Sequence, residues 1–146
     1  MPIDNIDRAI IRELQANAKA TLVEIAEQVG LSKTPCQQRI KRLEKDGVIR
    51  GYTTRVNHRL LGESHVVFVQ VKLANTRTVA LRAFNEAVWM IPEIEECHMM
   101  AANYDYLLKV RTGSMGSFRA ILGEKISALP HVQQTSTFVA MENVKD

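Results

Sequence analysis

Between Leu31 and Arg50 the chain concentrates side chains built for hydrogen bonding: Ser32, Lys33, Thr34, Gln37, Gln38, Lys41, Arg42, Lys45 and Arg50. Lys and Arg suit phosphates and the acceptor edge of guanine, and Gln suits the donor–acceptor edge of adenine. Spacing decides whether such groups act together. Cys36, Ile40 and Leu43 recur at i, i+4 and i+7, which marks an apolar helix face. At about 100° per residue the opposite face collects Thr34, Gln38, Lys41 and Lys45, flanked by Gln37 and Arg42. A helix with that front fits the major groove of DNA. It also fits a solvated surface helix, so the neighbouring elements have to decide.

Pro35 is compatible only with a first helical turn, where its missing N–H costs nothing. Ser32 or Thr34 is positioned to cap that turn, and Thr34-x-x-Gln37 has capping-box spacing. Gly47 supplies the stop. Upstream, Thr21-Leu-Val-Glu24 is a capping box opening a helix with Leu22, Ile25, Ala26 and Val29 on its buried side, ended by Gly30. Ile3, Ile6, Ile10 and Leu14 form one more stripe, with Asp4 or Asn5 as its cap and Asp7 favourable near the positive helix end. Helix, glycine turn and polar-fronted helix make the helix-turn-helix layout, whose second helix enters the major groove. Double-stranded DNA is the partner this predicts.

Composition bounds the alternatives. The chain has 146 residues, 46% of them hydrophobic, with no apolar run of membrane-spanning length. The first residues show no basic region followed by an apolar stretch, so export is not expected, and two isolated cysteines, Cys36 and Cys97, fit a reduced cytoplasmic setting. The net charge of +3 is uneven: residues 1–59 hold 11 Lys+Arg against 7 Asp+Glu, residues 60–146 hold 8 against 9. The potential that attracts a polyanion lies in the first segment. No metal site is expected, because His58, His65, His98 and His131 make no ligand spacing with either cysteine. Nor is a cofactor, since no glycine-rich phosphate loop appears. His98 beside Cys97 fits a packed strand better than a catalytic pair, so no enzyme is expected.

The predicted domains are residues 1–51, an extended linker and hinge at 52–63, and residues 64–146. The last part changes period. Val67, Val69, Val71 and Leu73 alternate with Gln70 and Lys72, a strand pattern. Thr78 caps a predicted helix with Leu81, Phe84, Val88 and Ile91. Strands are predicted at 94–100 and 104–111, joined by Ala101–Asn103. A helix with Phe118, Ile121, Leu122, Ile126 and Leu129 follows, then a strand at 132–141. Ile91-Pro-Glu-Ile94 and Leu129-Pro-His-Val132 repeat the same helix-to-strand passage. The fold class is therefore α+β, with a ferredoxin-like β-α-β-β-α-β domain after the helix-turn-helix. An RNA-recognition motif shares that order but needs aromatics at set points together with a Gly-Phe-Gly/Ala-Phe core, which Tyr104–Lys109 lacks. One sheet face has no helix over it, and its Val, Phe, Tyr and Met side chains are expected to pack on a second subunit; Val69 is placed either on this face or on the one facing the helices.

Taken in order, these stretches resemble the leucine-responsive regulatory protein/AsnC family of transcription regulators over nearly the whole chain. The resemblance rests on Asp4-x-x-Asp7-x-x-Ile10-Ile11-x-x-Leu14, Val29-Gly-Leu-Ser-x-Thr-Pro-Cys36, Arg39-Ile-Lys-Arg-Leu-Glu44, Gly47-Val-Ile49 and Gly51-Tyr52. In the second part it rests on Glu96-Cys-His98, Tyr104-Asp-Tyr-Leu-Leu-Lys109 and Leu129-Pro-x-Val132. It implies a winged helix-turn-helix, a sensing domain for a small amino-acid effector, control of amino-acid metabolism, homodimers through the sheets, and octamers. It also implies an effector site made from Met100, Ala102, Asn103, Asp105, Thr135, Ser136 and Thr137. The family usually has Gly-Asp where this chain has Ala102-Asn103. The alanine methyl narrows the room for a ligand and the asparagine removes a carboxylate, so either a changed effector or a lost response follows.

Overall fold

The computed structural model describes residues 2–145 and divides into a unit ending at Val56 and a unit beginning at Asn57. In the first, three helices follow one another: α1 (Asn5–Ala16), α2 (Leu22–Val29) and α3 (Lys33–Lys45). Asp4 caps α1, accepting the Asp7 N–H while the Asp7 carboxylate accepts the Asp4 N–H. Thr21 and Glu24 do the same for α2. Gly30 stops α2 at φ +69°, a left-handed conformation that glycine adopts without a Cβ penalty, and so sets the turn into α3. Ile10, Ile25, Ala26, Cys36 and Leu43 are buried together between the helices. At α3 the expected capping differs. Ser32 occupies the cap position but makes no side-chain cap bond, and Thr34 lies inside the helix with no capping box. Among the described residues this unit contains no β-strand, and residues 50–57 run as irregular chain.

The second unit is a four-stranded antiparallel sheet in the order β2-β3-β1-β4, from β1 (His65–Leu73), β2 (Ile94–Met99), β3 (Tyr106–Thr112) and β4 (Val132–Val139). Between β1 and β2 runs α4 (Thr78–Val88). Between β3 and β4 runs α5 (Met115–Ile121), which continues as a π-helical turn, Leu122–Ile126. Thr78 is the first residue of α4 rather than its cap; the cap position is Arg77. The two Pro-containing passages each close with a bond between the first and fourth residues, Ile94 N–H to Ile91 O at 3.1 Å and Val132 N–H to Leu129 O at 3.3 Å, but differ in backbone, since His131 takes φ +63° and Glu93 has no positive φ.

Val67, Val69, Val71 and Leu73 of β1 face the helices and are buried with Phe84, Val88, Phe118, Ile126 and Leu129. Of the two places open to Val69, the structure takes the helix-covered one. Val69 is completely buried beneath the helices, beside Leu108 of β3, its partner in the ladder, which is buried on the same side. Tyr106 follows it inward, stacking on Phe84 with centroids 4.3 Å apart and donating its hydroxyl to Asn85 Oδ1 at 2.7 Å. The uncovered face instead carries Phe68, Gln70 and Lys72 of β1, Leu107, Lys109 and Arg111 of β3, Glu96 and His98 of β2, and Ser136 and Phe138 of β4. It is a mixed surface, apolar toward β1 and β4 and ionic toward β2, where Lys109 lies 3.2 Å from Glu96 and 3.5 Å from Glu95.

Candidate nucleic-acid interface and effector site

The front of α3 is built as the periodicity demands. Cys36 and Leu43 are buried and Ile40 packs against them, which leaves Ser32, Lys33, Thr34, Gln37, Gln38, Lys41 and Lys45 exposed on the remaining surface. Arg50 is exposed beyond the helix. Arg42 departs from that group. Its guanidinium meets the Asp7 carboxylate at 2.5 Å and its side chain is only 29% exposed. Arg39, one turn earlier, meets both Asp7 at 2.9 Å and Asp4 at 2.6 Å. Two arginines of α3 are thus engaged by the N-terminal turn of α1, on a carboxylate with no solvent exposure. Reading Asp7 as a favourable charge near a helix end catches its position but not its partners, which lie 32 and 35 residues away.

A second tether was also invisible in sequence. The Tyr52 hydroxyl donates to Glu44 Oε1 at 2.7 Å, tying the segment after α3 back onto the helix and restraining Arg50 between them. Desolvation, then the bond to Glu44, pushes the Tyr52 phenol up to about 12. The Asp4 carboxyl is pulled down to about 2, first by the Asp7 N–H and then by Arg39.

The turn expected to meet an effector spans Met100–Asp105, with Ala102 and Asn103 exposed. It is longer than the three residues expected between strands. Asp105 ties the turn to both sides: its carbonyl accepts the Met100 N–H at 2.9 Å, its N–H donates to Val71 O at 2.9 Å, and its Oδ2 accepts the Leu73 N–H of β1 at 2.7 Å. One carboxylate oxygen is therefore occupied by backbone. Thr135, Ser136 and Thr137 pair with Val71, Gln70 and Val69 on the far side of β1. Thr135 and Thr137 share the helix-covered face, whereas Ser136 lies on the open one. Two strand spacings, roughly 10 Å, separate them from the turn. Within one chain these residues surround the end of β1 without converging on a single point.

His98 and Cys97 point to opposite sides of β2. His98 lies 3.1 Å from Glu96 on the open face, while Cys97 packs into the core and burial pushes its thiol up to about 11. Neither can activate the other. The described residues contain no group of three or more His, Cys, Asp or Glu able to hold a metal, and no helix long and apolar enough to cross a membrane.

A helix-turn-helix with an exposed basic and amide front, followed by a ferredoxin-like domain, defines a class: DNA-binding transcription regulators with a separate sensing domain. Residues 3–50 match the family model of winged helix-turn-helix DNA-binding domains, and residues 66–146 match that of the Lrp/AsnC ligand binding domain. The chain belongs to the Lrp/AsnC family of transcription regulators. It is 52% identical to a proline dehydrogenase transcriptional activator of Rhodobacter capsulatus, across 97% of this chain and 92% of that protein. It is 44% identical to the leucine-responsive regulatory protein of Escherichia coli K12, across 98% and 87%. A transcriptional regulator from Neisseria meningitidis, solved as a complex with L-Met, superposes with a TM-score of 0.90 at 27% identity, covering 99% of this chain and 94% of that one.

Proposed function

We propose that this regulator acts on a gene of amino-acid breakdown, proline oxidation being the first case to test, and that a small amino acid adjusts its DNA binding or assembly. Thr34, Gln37, Gln38 and Lys41 read base edges; Ser32, Lys33, Lys45 and Arg50 grip phosphates. Arg42, committed to Asp7, serves the orientation of α3 more than the backbone of the DNA. The observation that carries this reading is the surface of α3, where Ser32 at the cap and six basic, amide and hydroxyl side chains are exposed on a helix whose back is buried. The relatives support the rest: a proline dehydrogenase activator and a leucine-responsive regulator at 52% and 44% identity, and a neighbour bound to L-Met.

The active form in this reading is a homodimer through the open sheet face, with octamers as a higher assembly, working in the cytoplasm and without enzymatic activity. Phe68, Leu107 and Phe138 give that face its apolar centre. The effector site draws on Met100, Ala102, Asn103, Asp105 and Thr135–Thr137, and the separation of these groups across β1 is understandable if neighbouring subunits complete it. Asp105 contributes its second carboxylate oxygen to an α-ammonium group. Selection of bound genomic fragments with the purified protein tests the assignment. Fragments preceding genes of amino-acid degradation are the expected result, and recovery with no sequence preference would contradict it.

A further inference from the structure

We infer that Asp4 and Asp7 set the DNA specificity of this regulator by holding Arg39 and Arg42 away from the phosphate backbone and fixing the rotation of α3. The inference rests on the reading that the front of α3 faces DNA.

On the helical wheel Arg42 lies about 80° from Thr34 and Arg39 about 140°, so both occupy the flank between the reading face and the buried back. The α3 sequence holds five cations, Lys33, Arg39, Lys41, Arg42 and Lys45, against Glu44 alone. Two of the five are matched by carboxylates from another helix. Asp7 has no exposure, while the arginine side chains are 25% and 29% exposed. Losing the Asp7 carboxylate would remove an ion pair from each arginine; Arg39 keeps its pair with Asp4, so Arg42 is the one shifted toward the edge of the groove. Phosphate contacts carry no sequence information, so one additional contact from Arg42 strengthens binding to every sequence.

The geometry adds a second effect. Arg39 and Arg42 are three residues apart and both reach Asp7, so the carboxylate restrains α3 against rolling on its apolar back. A roll of about 20° on a helix of 5–6 Å outer radius moves side-chain tips by about 2 Å. That is enough to break the alignment of a glutamine with an adenine edge. Asp4 and Asp7 are therefore positioning residues.

The test is equilibrium binding of a selected operator and of random duplex across a salt series, with Asp7→Asn, Asp4→Asn and the double variant Asp7→Asn/Arg42→Gln. Asp4→Asn keeps the α1 cap, since asparagine caps as well as aspartate, and its site is half exposed, so this variant reports even if Asp7→Asn fails to fold. Expected for Asp7→Asn is random-DNA binding tightened by roughly fivefold or more at low salt, a salt slope steeper by about one, and a specificity ratio reduced by about tenfold. Asp4→Asn moves the same way by less, and Arg42→Gln in the double variant returns the slope to its original value. Operator and random affinities falling in parallel at an unchanged slope would reduce the cluster to a stabilising contact and overturn the inference. So would variants indistinguishable from the wild type. A wild type that does not distinguish the operator from random duplex would instead remove the DNA reading itself, and the inference with it.

Discussion

At the scale of single residues, the acidic cap of α1 and the tyrosine after α3 make predictions that pH can check. Asp4 titrates near 2 in the folded chain, below its ordinary 3.8, so its contribution to stability is complete above the ordinary value and lost as pH falls toward 2. Acid unfolding curves of the wild type and Asp4→Asn, followed by circular dichroism, are expected to converge across that window. Tyr52 behaves in the opposite sense. Its folded value is raised from 10 to about 12, so its contribution is complete below 10 and lost as pH rises through 12. Phenolate absorbance should lose one late-titrating tyrosine in Tyr52→Phe, leaving that of Tyr106, whose phenol burial also raises. On the DNA side, Lys45→Ala is expected to weaken operator and random duplex alike and to reduce the salt slope by about one, as a phosphate contact does. Much at this scale was legible from spacing: the exposed set on α3 follows directly from Cys36, Ile40 and Leu43 taking the inside. What was not legible were pairings over long sequence separations. Nothing local to Asp7 announces Arg39 and Arg42, and Arg42 looked like one more surface cation until its partner was placed.

At the scale of elements, periodicity gave element order and type throughout, because each helix and strand buries one stripe. Two capping assignments failed at α3 and α4, where the backbone enters the helix without help from a hydroxyl. The orientation of β1 is open in the sequence. A strand's alternation shows that two faces differ but not which one a helix covers, and Val69 belongs to the covered one. The consequence is measurable. Val69→Asp buries a charge in the core and is expected to unfold the second unit, at a cost of several kcal/mol. Phe68→Asp, on the open face, should leave the unit folded and the protein monomeric. Thermal unfolding and light scattering together separate these outcomes. Folded monomers from Val69→Asp, or a folded dimer from Phe68→Asp, would contradict the arrangement.

For the whole molecule, a dimer implies two copies of α3 and hence a pseudo-palindromic operator with half-sites about one helical turn apart. An effector acts on such a protein only through unequal affinity for its states. A thermal-shift screen of the twenty amino acids follows that directly: a ligand at 100 times its Kd adds about 2.7 kcal/mol to the form that binds it. Asp105→Ala is expected to abolish that shift while sparing ligand-free DNA binding, provided the second unit stays folded without the bond to Leu73. The effector's identity was not legible, because Ala102 and Asn103 alter the turn in a way that backbone pattern alone cannot translate into a ligand.

The central claim is that the exposed front of α3 reads base sequence, and one comparison tests it most directly. Binding sites are selected from a random duplex pool with the wild type, and the affinities of wild type and Gln38→Ala are then measured on the selected site and on random duplex at one salt concentration. The account predicts a loss of about 1–3 kcal/mol for Gln38→Ala on the selected site, with binding to random duplex nearly unchanged. Equal affinities of the two proteins for the selected site would contradict it and place the reading face elsewhere.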